Sequence, residues 1–357
     1  MEERELDDLV AFLPPLLQAV ERLGFVARHL NPPEFEAVMA AVGEPEAELL
    51  AQGHRLDAWP PELEPVRTAL VTAANEALAA YAALRAAPQE ADGLTAIFRA
   101  LRHLPRAQEA LYPLARNLPP VSRFFLDPAV REDASLLHRL AHAEPTPHTG
   151  VLHYDSAPDS RGGFSAYVPE YYDAQVVWPL VVALHGGSGN GGAFLWSWLR
   201  DARSRGAIVV APTALGRTWA ISGEDLDTAN IGRLLAYVRG RWNIDETRIL
   251  LTGMSDGGTF SYVSGLEPAS PFTHLAPVSA AFHPMLASFA DPARMTGLPI
   301  HIVHGVQDWM FPVDMAREAA RHLRQAGAAV TYLEIEDLSH TYPREANARI
   351  LDWLGVD

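Results

Sequence analysis

The sequence predicts an α/β fold with a mostly parallel sheet, preceded by an all-helical region. Three observations predict it. Before about residue 143 apolar residues recur at three- and four-residue spacing, as on amphipathic helices. After about residue 150 short apolar runs alternate with helix-period segments, the pattern of strands joined by crossover helices. Between the two lies Ala143-Glu-Pro-Thr-Pro-His-Thr-Gly150, polar and rich in Pro and Thr, which reads as a linker.

The helical region carries three clear apolar faces. Leu6, Leu9, Val10, Leu13, Leu16, Leu17 and Val20 form one, interrupted by Pro14-Pro15. Val66, Leu70, Val71, Ala74, Leu78, Tyr81 and Leu84 form another, and Leu94, Ile97, Phe98 and Leu101 a third. Prolines punctuate the region at helix starts and stops. An all-helical domain is therefore expected over residues 1–145, without strand or repeat, and a second domain over 146–357.

In the second region Phe164–Pro169 alternates and reads as a strand. Val176–Leu184 is almost continuously apolar, as a buried parallel strand requires. Strands are also expected at Ile208–Ala211, Arg248–Thr252, Ala276–Ser279, Pro299–Val303 and Val330–Ile335. Helices are expected at Phe194–Arg205, Asp227–Trp242, Asp256–Gly265, Pro312–Ala326 and Arg344–Leu354.

Composition excludes several chemistries. Among 357 residues there is no cysteine, hence no disulfide, thiolate metal site or cysteine nucleophile. All 28 basic residues are arginine, so Ser–Lys dyads, lysine Schiff bases and lysine phosphate loops are absent. A net charge of -16 disfavours nucleic acid and anionic membrane surfaces as partners. The acidic start lacks a secretory pattern, and apolar runs are short. A cytoplasmic protein without integral membrane association is expected.

Chemistry concentrates at predicted strand ends. Gly253-Met-Ser255-Asp-Gly257 fits G-x-S-x-G, with a strand running into it and a helix running out, as a nucleophile elbow needs. A serine hydroxyl needs a base. His340, in Asp337-Leu-Ser-His340, follows the last strand. An acid is expected at the preceding strand end, where His304-Gly-Val-Gln-Asp308-Trp-Met-Phe-Pro312 supplies Asp308. The order Ser, Asp, His then follows the chain. Asp337 competes with Asp308; strand-end placement favours Asp308. His283 and His304 compete with His340, His304 reading as a structural hydrogen-bonding residue. The glycine-rich loop His185-Gly-Gly-Ser-Gly-Asn-Gly-Gly192 offers free amides for an oxyanion. Its donors are assigned to Gly187 and Asp256, with Ser188 as the alternative to Gly187. The Asp256 carboxylate beside the nucleophile reads as a helix-dipole partner. Trp309 and Trp219 are the substrate-pocket candidates.

Residues from about 150 onward resemble the carboxylesterase/phospholipase-like branch of the α/β-hydrolases, which includes acyl thioesterases, dienelactone hydrolases and polyhydroxyalkanoate depolymerase-like esterases. His185-Gly-Gly, Gly253-Met-Ser-Asp-Gly-Gly258, His304-Gly-Val-Gln-Asp308 with Phe311-Pro312, and Ser339-His340 carry the resemblance. It implies an α/β-hydrolase fold and hydrolysis of a small-molecule or lipid ester through an acyl-serine, without a cofactor. The loop departs from the His-Gly-Gly-Gly of many lipases at Ser188. No family resemblance is recognised for residues 1–145.

Two other readings stand beside this one. A serine peptidase of the prolyl oligopeptidase type also carries an N-terminal domain, but one of repeated blades rather than helices. Alternatively the helices are an interaction module, for instance pairing two copies as a homodimer. His138 and His142, spaced i, i+4 with His148 and His153 nearby, lack the carboxylate motif of a metal site; no metal is expected.

Overall fold

The computed structural model describes residues 2–157 and 160–356, so the outer ends of both expected domains, Met1 and Asp357, lie outside the described residues. The chain divides into two compact units, Met1–Asp133 and Ala134–Asp357. The division falls before the Pro/Thr-rich segment.

The first unit holds helices α1 (Glu3–His29), α2 (Phe35–Val42), α3 (Pro45–Gln52), α4 (Glu64–Ala86), α5 (Gly93–Leu101), α6 (His103–Leu111) and α7 (Pro119–Phe124), and no strand among its described residues. α1 runs unbroken through Pro14-Pro15, where the sequence suggests an interruption. A proline inside a helix costs about 3 kcal/mol. Leu9, Phe12, Leu13, Leu16, Ala19, Val20, Leu23 and Val26 are buried on both sides of the pair and offset that cost. α1 is also long and apolar enough by composition to cross a membrane, which the short apolar runs did not suggest. Half of that stretch is buried within the protein, as for a core helix. Tyr81 of α4 donates its hydroxyl to the Ala19 carbonyl at 2.8 Å, tying α4 to α1.

The second unit begins with α8 (Ala134–His142), whose Arg139 guanidinium lies 5.0 Å from the Tyr171 ring centroid. Its strands are β1 (Gly150–Tyr154), β2 (Phe164–Val168), β3 (Trp178–Leu184), β4 (Ile208–Pro212), β5 (Ile244–Met254), β6 (His274–Val278), β7 (Pro299–Gly305) and β8 (Ala329–Ile335). They form one sheet in the order β1-β2-β4-β3-β5-β6-β7-β8. β2 is antiparallel to both neighbours and the remaining pairs are parallel. This is the α/β-hydrolase fold. Between the strands lie α9 (Gly191–Phe194), α10 (Leu199–Arg205), α11 (Asp227–Arg239), α12 (Asp256–Gly265), α13 (Pro284–Phe289), α14 (Pro292–Met295), α15 (Val313–Gln325) and α16 (Ala346–Trp353).

β3 and β4 are buried along their whole length, as continuous apolar runs dictate. β1 begins at Gly150, the last residue of the expected linker, where no strand is expected; it is only partly buried, so its apolar pattern is weak. The helix expected over 194–205 is broken by a 3-10 turn at Leu195–Ser197.

Candidate functional site

The elbow comes first. β5 delivers Ser255 and α12 starts at Asp256. Ser255 has φ 55° and ψ -119°, a conformation an L-residue adopts only when its surroundings impose it. Those surroundings are glycine. A Cβ on Gly253 would fall 2.5 Å from the Gly257 carbonyl carbon, and one on Gly257 would fall 2.5 Å from the His185 carbonyl oxygen. The tight turn thus needs both glycines of the motif.

The three expected side chains meet. His340 Nε2 lies 3.0 Å from Ser255 Oγ. His340 Nδ1 lies 2.8 Å from Asp308 Oδ2 and 3.0 Å from Oδ1. All three residues are buried. The Met310 and Phe311 amides also donate to Asp308 Oδ1, at 2.9 and 2.8 Å. Burial alone would raise the Asp308 pKa; the His340 hydrogen bond, the Phe311 amide and the nearby imidazoles outweigh it and hold the carboxyl below its usual value. Asp308 therefore stays ionised and fixes His340 with Nδ1–H toward the acid and Nε2 toward the serine. Asp337 lies exposed in the turn before His340.

The rival histidines have other partners. His283 caps α13, its Nδ1 accepting from the Met285 amide at 3.2 Å. His304 donates from Nε2 to the Phe311 carbonyl at 2.8 Å, bracing the turn that carries Asp308. The His138 and His142 rings lie against each other, tilted by 34° with centroids 4.0 Å apart. His148 Nδ1 accepts from Arg241, and His153 Nδ1 faces Ser165 Oγ. Among the described residues no group of three or more His, Asp or Glu could hold a metal ion.

The glycine loop after β3 stands beside the serine. The Ser188 amide donates to the Arg217 carbonyl and the Gly189 amide to the Gly186 carbonyl, both at 3.1 Å. The first donor is committed to the segment after β4 and the second to the loop itself. The Asp256 amide opens α12, where helix geometry leaves it without an intrahelical acceptor. The loop is anchored by His185, whose Nδ1 lies 2.6 Å from the Gly186 carbonyl and whose Nε2 accepts from the Ala214 amide at 3.1 Å. That pattern requires the neutral Nδ1–H tautomer. Burial agrees, pushing the His185 pKa down to about 4.

Trp219 is corrected by the structure. It is 2% exposed, stacks on Phe260 at 5.5 Å and donates its indole N–H to the His185 carbonyl at 2.7 Å. It braces the glycine loop from within rather than presenting a ring to a ligand. Trp309 is 42% exposed and lies edge-on to His340 at 6.1 Å, so it borders the site.

Two supports escaped the sequence reading. The segment after β4 holds the glycine loop through Ala214, Arg217 and Trp219, and its Thr218 hydroxyl donates to Asp256 Oδ2 at 2.5 Å. The strand-end rule that located Asp308 points to this segment too. Beyond His340, Tyr342 donates to Asn347 Oδ1 at 2.8 Å, and Asn347 donates to the Ser197 carbonyl and to Asp201. This network ties the histidine loop to α10 and α16, and no sequence spacing announces it.

A strained serine on an elbow, an imidazole and a carboxylate at successive strand ends, and a glycine loop beside them stand where the α/β-hydrolase fold places such groups. Residues 228–355 match the sequence profile of the phospholipase/carboxylesterase family. A probable feruloyl esterase C from Aspergillus terreus is 32% identical over 165 residues, which cover 44% of this chain and 59% of that protein. A bifunctional acetylxylan esterase/xylanase from Neocallimastix patriciarum is 32% identical over 135 residues, covering 36% of this chain and 19% of that protein. The chain thus spans about three fifths of the first relative and a fifth of the second. A thermostable esterase of known structure is 20% identical with a TM-score of 0.48, over 58% of this chain and 62% of that one.

Proposed function

We propose that the protein hydrolyses carboxylic esters through an acyl-serine intermediate. The observation that carries this reading is the continuous hydrogen-bonded line from Ser255 Oγ through His340 to Asp308. His340 Nε2 takes the serine proton as Oγ attacks the ester carbonyl. The Gly187 and Asp256 amides receive the developing oxyanion, since Ser188 and Gly189 are committed elsewhere. His340 then passes its proton to the departing alkoxide, releasing the alcohol. Water, deprotonated by the same imidazole, attacks the acyl-serine and frees the acid. Asp308 stabilises the imidazolium in both halves.

The names of the two relatives support an ester whose acyl group is small or aromatic. The exposed Trp309 ring at the edge of His340 supports the aromatic choice. The test is turnover of p-nitrophenyl acetate and of a hydroxycinnamate methyl ester by wild type and Ser255→Ala. The variant is expected to lose at least about a thousandfold in kcat. Retention of wild-type turnover by Ser255→Ala defeats the assignment.

A further inference from the structure

Asp256 has a carboxylate that the reaction above does not use. Its backbone amide serves the oxyanion, while its side chain stands next to the same place. The location is fixed by two contacts. Thr218 Oγ1 donates to Asp256 Oδ2 at 2.5 Å. A Cβ built on Gly187 would lie 2.8 Å from that same oxygen, so the carboxylate rests against the proposed oxyanion donor. The residue is partly exposed. Among the described residues Thr218 is its hydrogen-bond partner, and no arginine or histidine lies within ion-pair distance of it. The carboxylate therefore has no ion-pair partner among the described residues where it borders the proposed oxyanion site.

A fixed negative charge there opposes the oxyanion it adjoins. Helix-dipole stabilisation accounts for an acid at a helix start, but not for a hydroxyl clamp that holds it against the glycine loop. We propose that Asp256 is a charge-selecting residue: it rejects esters whose acyl group carries a carboxylate and accepts those with a neutral or donor-bearing acyl group. The inference rests on the ester-hydrolase reading of the same site. Physically, an acyl carboxylate would bring a second negative charge beside Asp256 just as a third develops on the carbonyl oxygen. A hydroxyl on the acyl group would instead have a carboxylate oxygen to donate to.

The experiment compares two esters of similar length on the full chain: p-nitrophenyl hemisuccinate, a monoanion, and p-nitrophenyl pentanoate, which is neutral. The quantity read is the ratio of their kcat/KM values, in wild type and in Asp256→Asn, which keeps an acceptor for Thr218. Removing one charge at this partly exposed position should raise the anionic-to-neutral ratio on the order of tenfold. A structural role would lower both rates and leave the ratio alone. In wild type the same ratio should rise with added salt, a measurement that needs no variant. An unchanged ratio in Asp256→Asn, or a wild-type ratio insensitive to salt, overturns the assignment. Wild type that turns over neither ester overturns the hydrolase reading itself.

Discussion

The two units treat buried polar side chains differently. Of the buried polar or charged residues described, four (Glu5, Asp8, Gln108 and Ser122) belong to the helical unit and nineteen to the α/β unit. Each buried polar group must be satisfied or it costs stability. The helical unit avoids that cost by filling its interior with Leu, Ala, Val and Phe. The α/β unit accepts it, and His185, Ser255, His304, Asp308 and His340 all sit at or just beyond the C-terminal ends of strands. The contrast separates a region organised by packing from one that holds buried polar groups at the candidate site.

The largest expected effect that sharpens this contrast is at the acid. Asp308→Asn keeps shape but leaves His340 Nδ1 facing an amide, and kcat should fall about ten-thousandfold. Asp337→Asn should fall by less than about threefold, since its carboxylate is not the one on His340. Equal losses in the two variants would reverse the choice of acid. Next comes Gly187→Ala. Its methyl group meets Asp256 Oδ2, displacing the proposed donor, and kcat should drop about a hundredfold. Adding Asp256→Ala to the same chain should recover part of that loss; no recovery would mean the collision is not the cause.

The helical unit should respond in the opposite sense. Leu16 is fully buried in α1, and Leu16→Ala should cost about 3 kcal/mol in denaturant unfolding. The kcat/KM of the folded fraction on a neutral ester should stay within about twofold of wild type, as expected for a substitution remote in role from the chemistry. A large kinetic loss would show that the helices shape the site. The smallest effect concerns pH. Burial holds His301 neutral in the folded protein, with its pKa down to about 4. Between pH 6.5 and 4 the unfolded chain takes up a proton there that the folded chain does not. The stability present above 6.5 is therefore lost as pH falls toward 4. The contribution is on the order of 1–2 kcal/mol at pH 5. Urea midpoints at pH 7.5 and 5 measure it, and His301→Leu should narrow the difference.

Sequence revealed most of the sheet because a buried parallel strand has to be continuously apolar. β3, β4 and the end of β5 are legible for that reason, whereas β1, half-exposed at the sheet edge, carries no such constraint. Ser255, His340 and Asp308, which share one hydrogen-bonded line, were legible because the proposed chemistry restricts residue type and the fold restricts order. Thr218 and Asn347 were not, since a hydroxyl or an amide that braces a loop can come from any segment that folds beside it. Trp219 was misread for a related reason. An aromatic residue in a loop near the site has the same local signature whether its ring faces the ligand or the core. Only the position of the His185 carbonyl decides between them.

The backbone at Ser255 has a consequence for how this molecule can change. A side chain held at φ 55° stores roughly 1–3 kcal/mol of conformational strain. Glycine at the same position would release most of it. Thermal robustness and the proposed nucleophile therefore compete for a single dihedral angle. Screening variants for melting temperature alone would favour a better-folded protein that has lost the hydroxyl proposed to react.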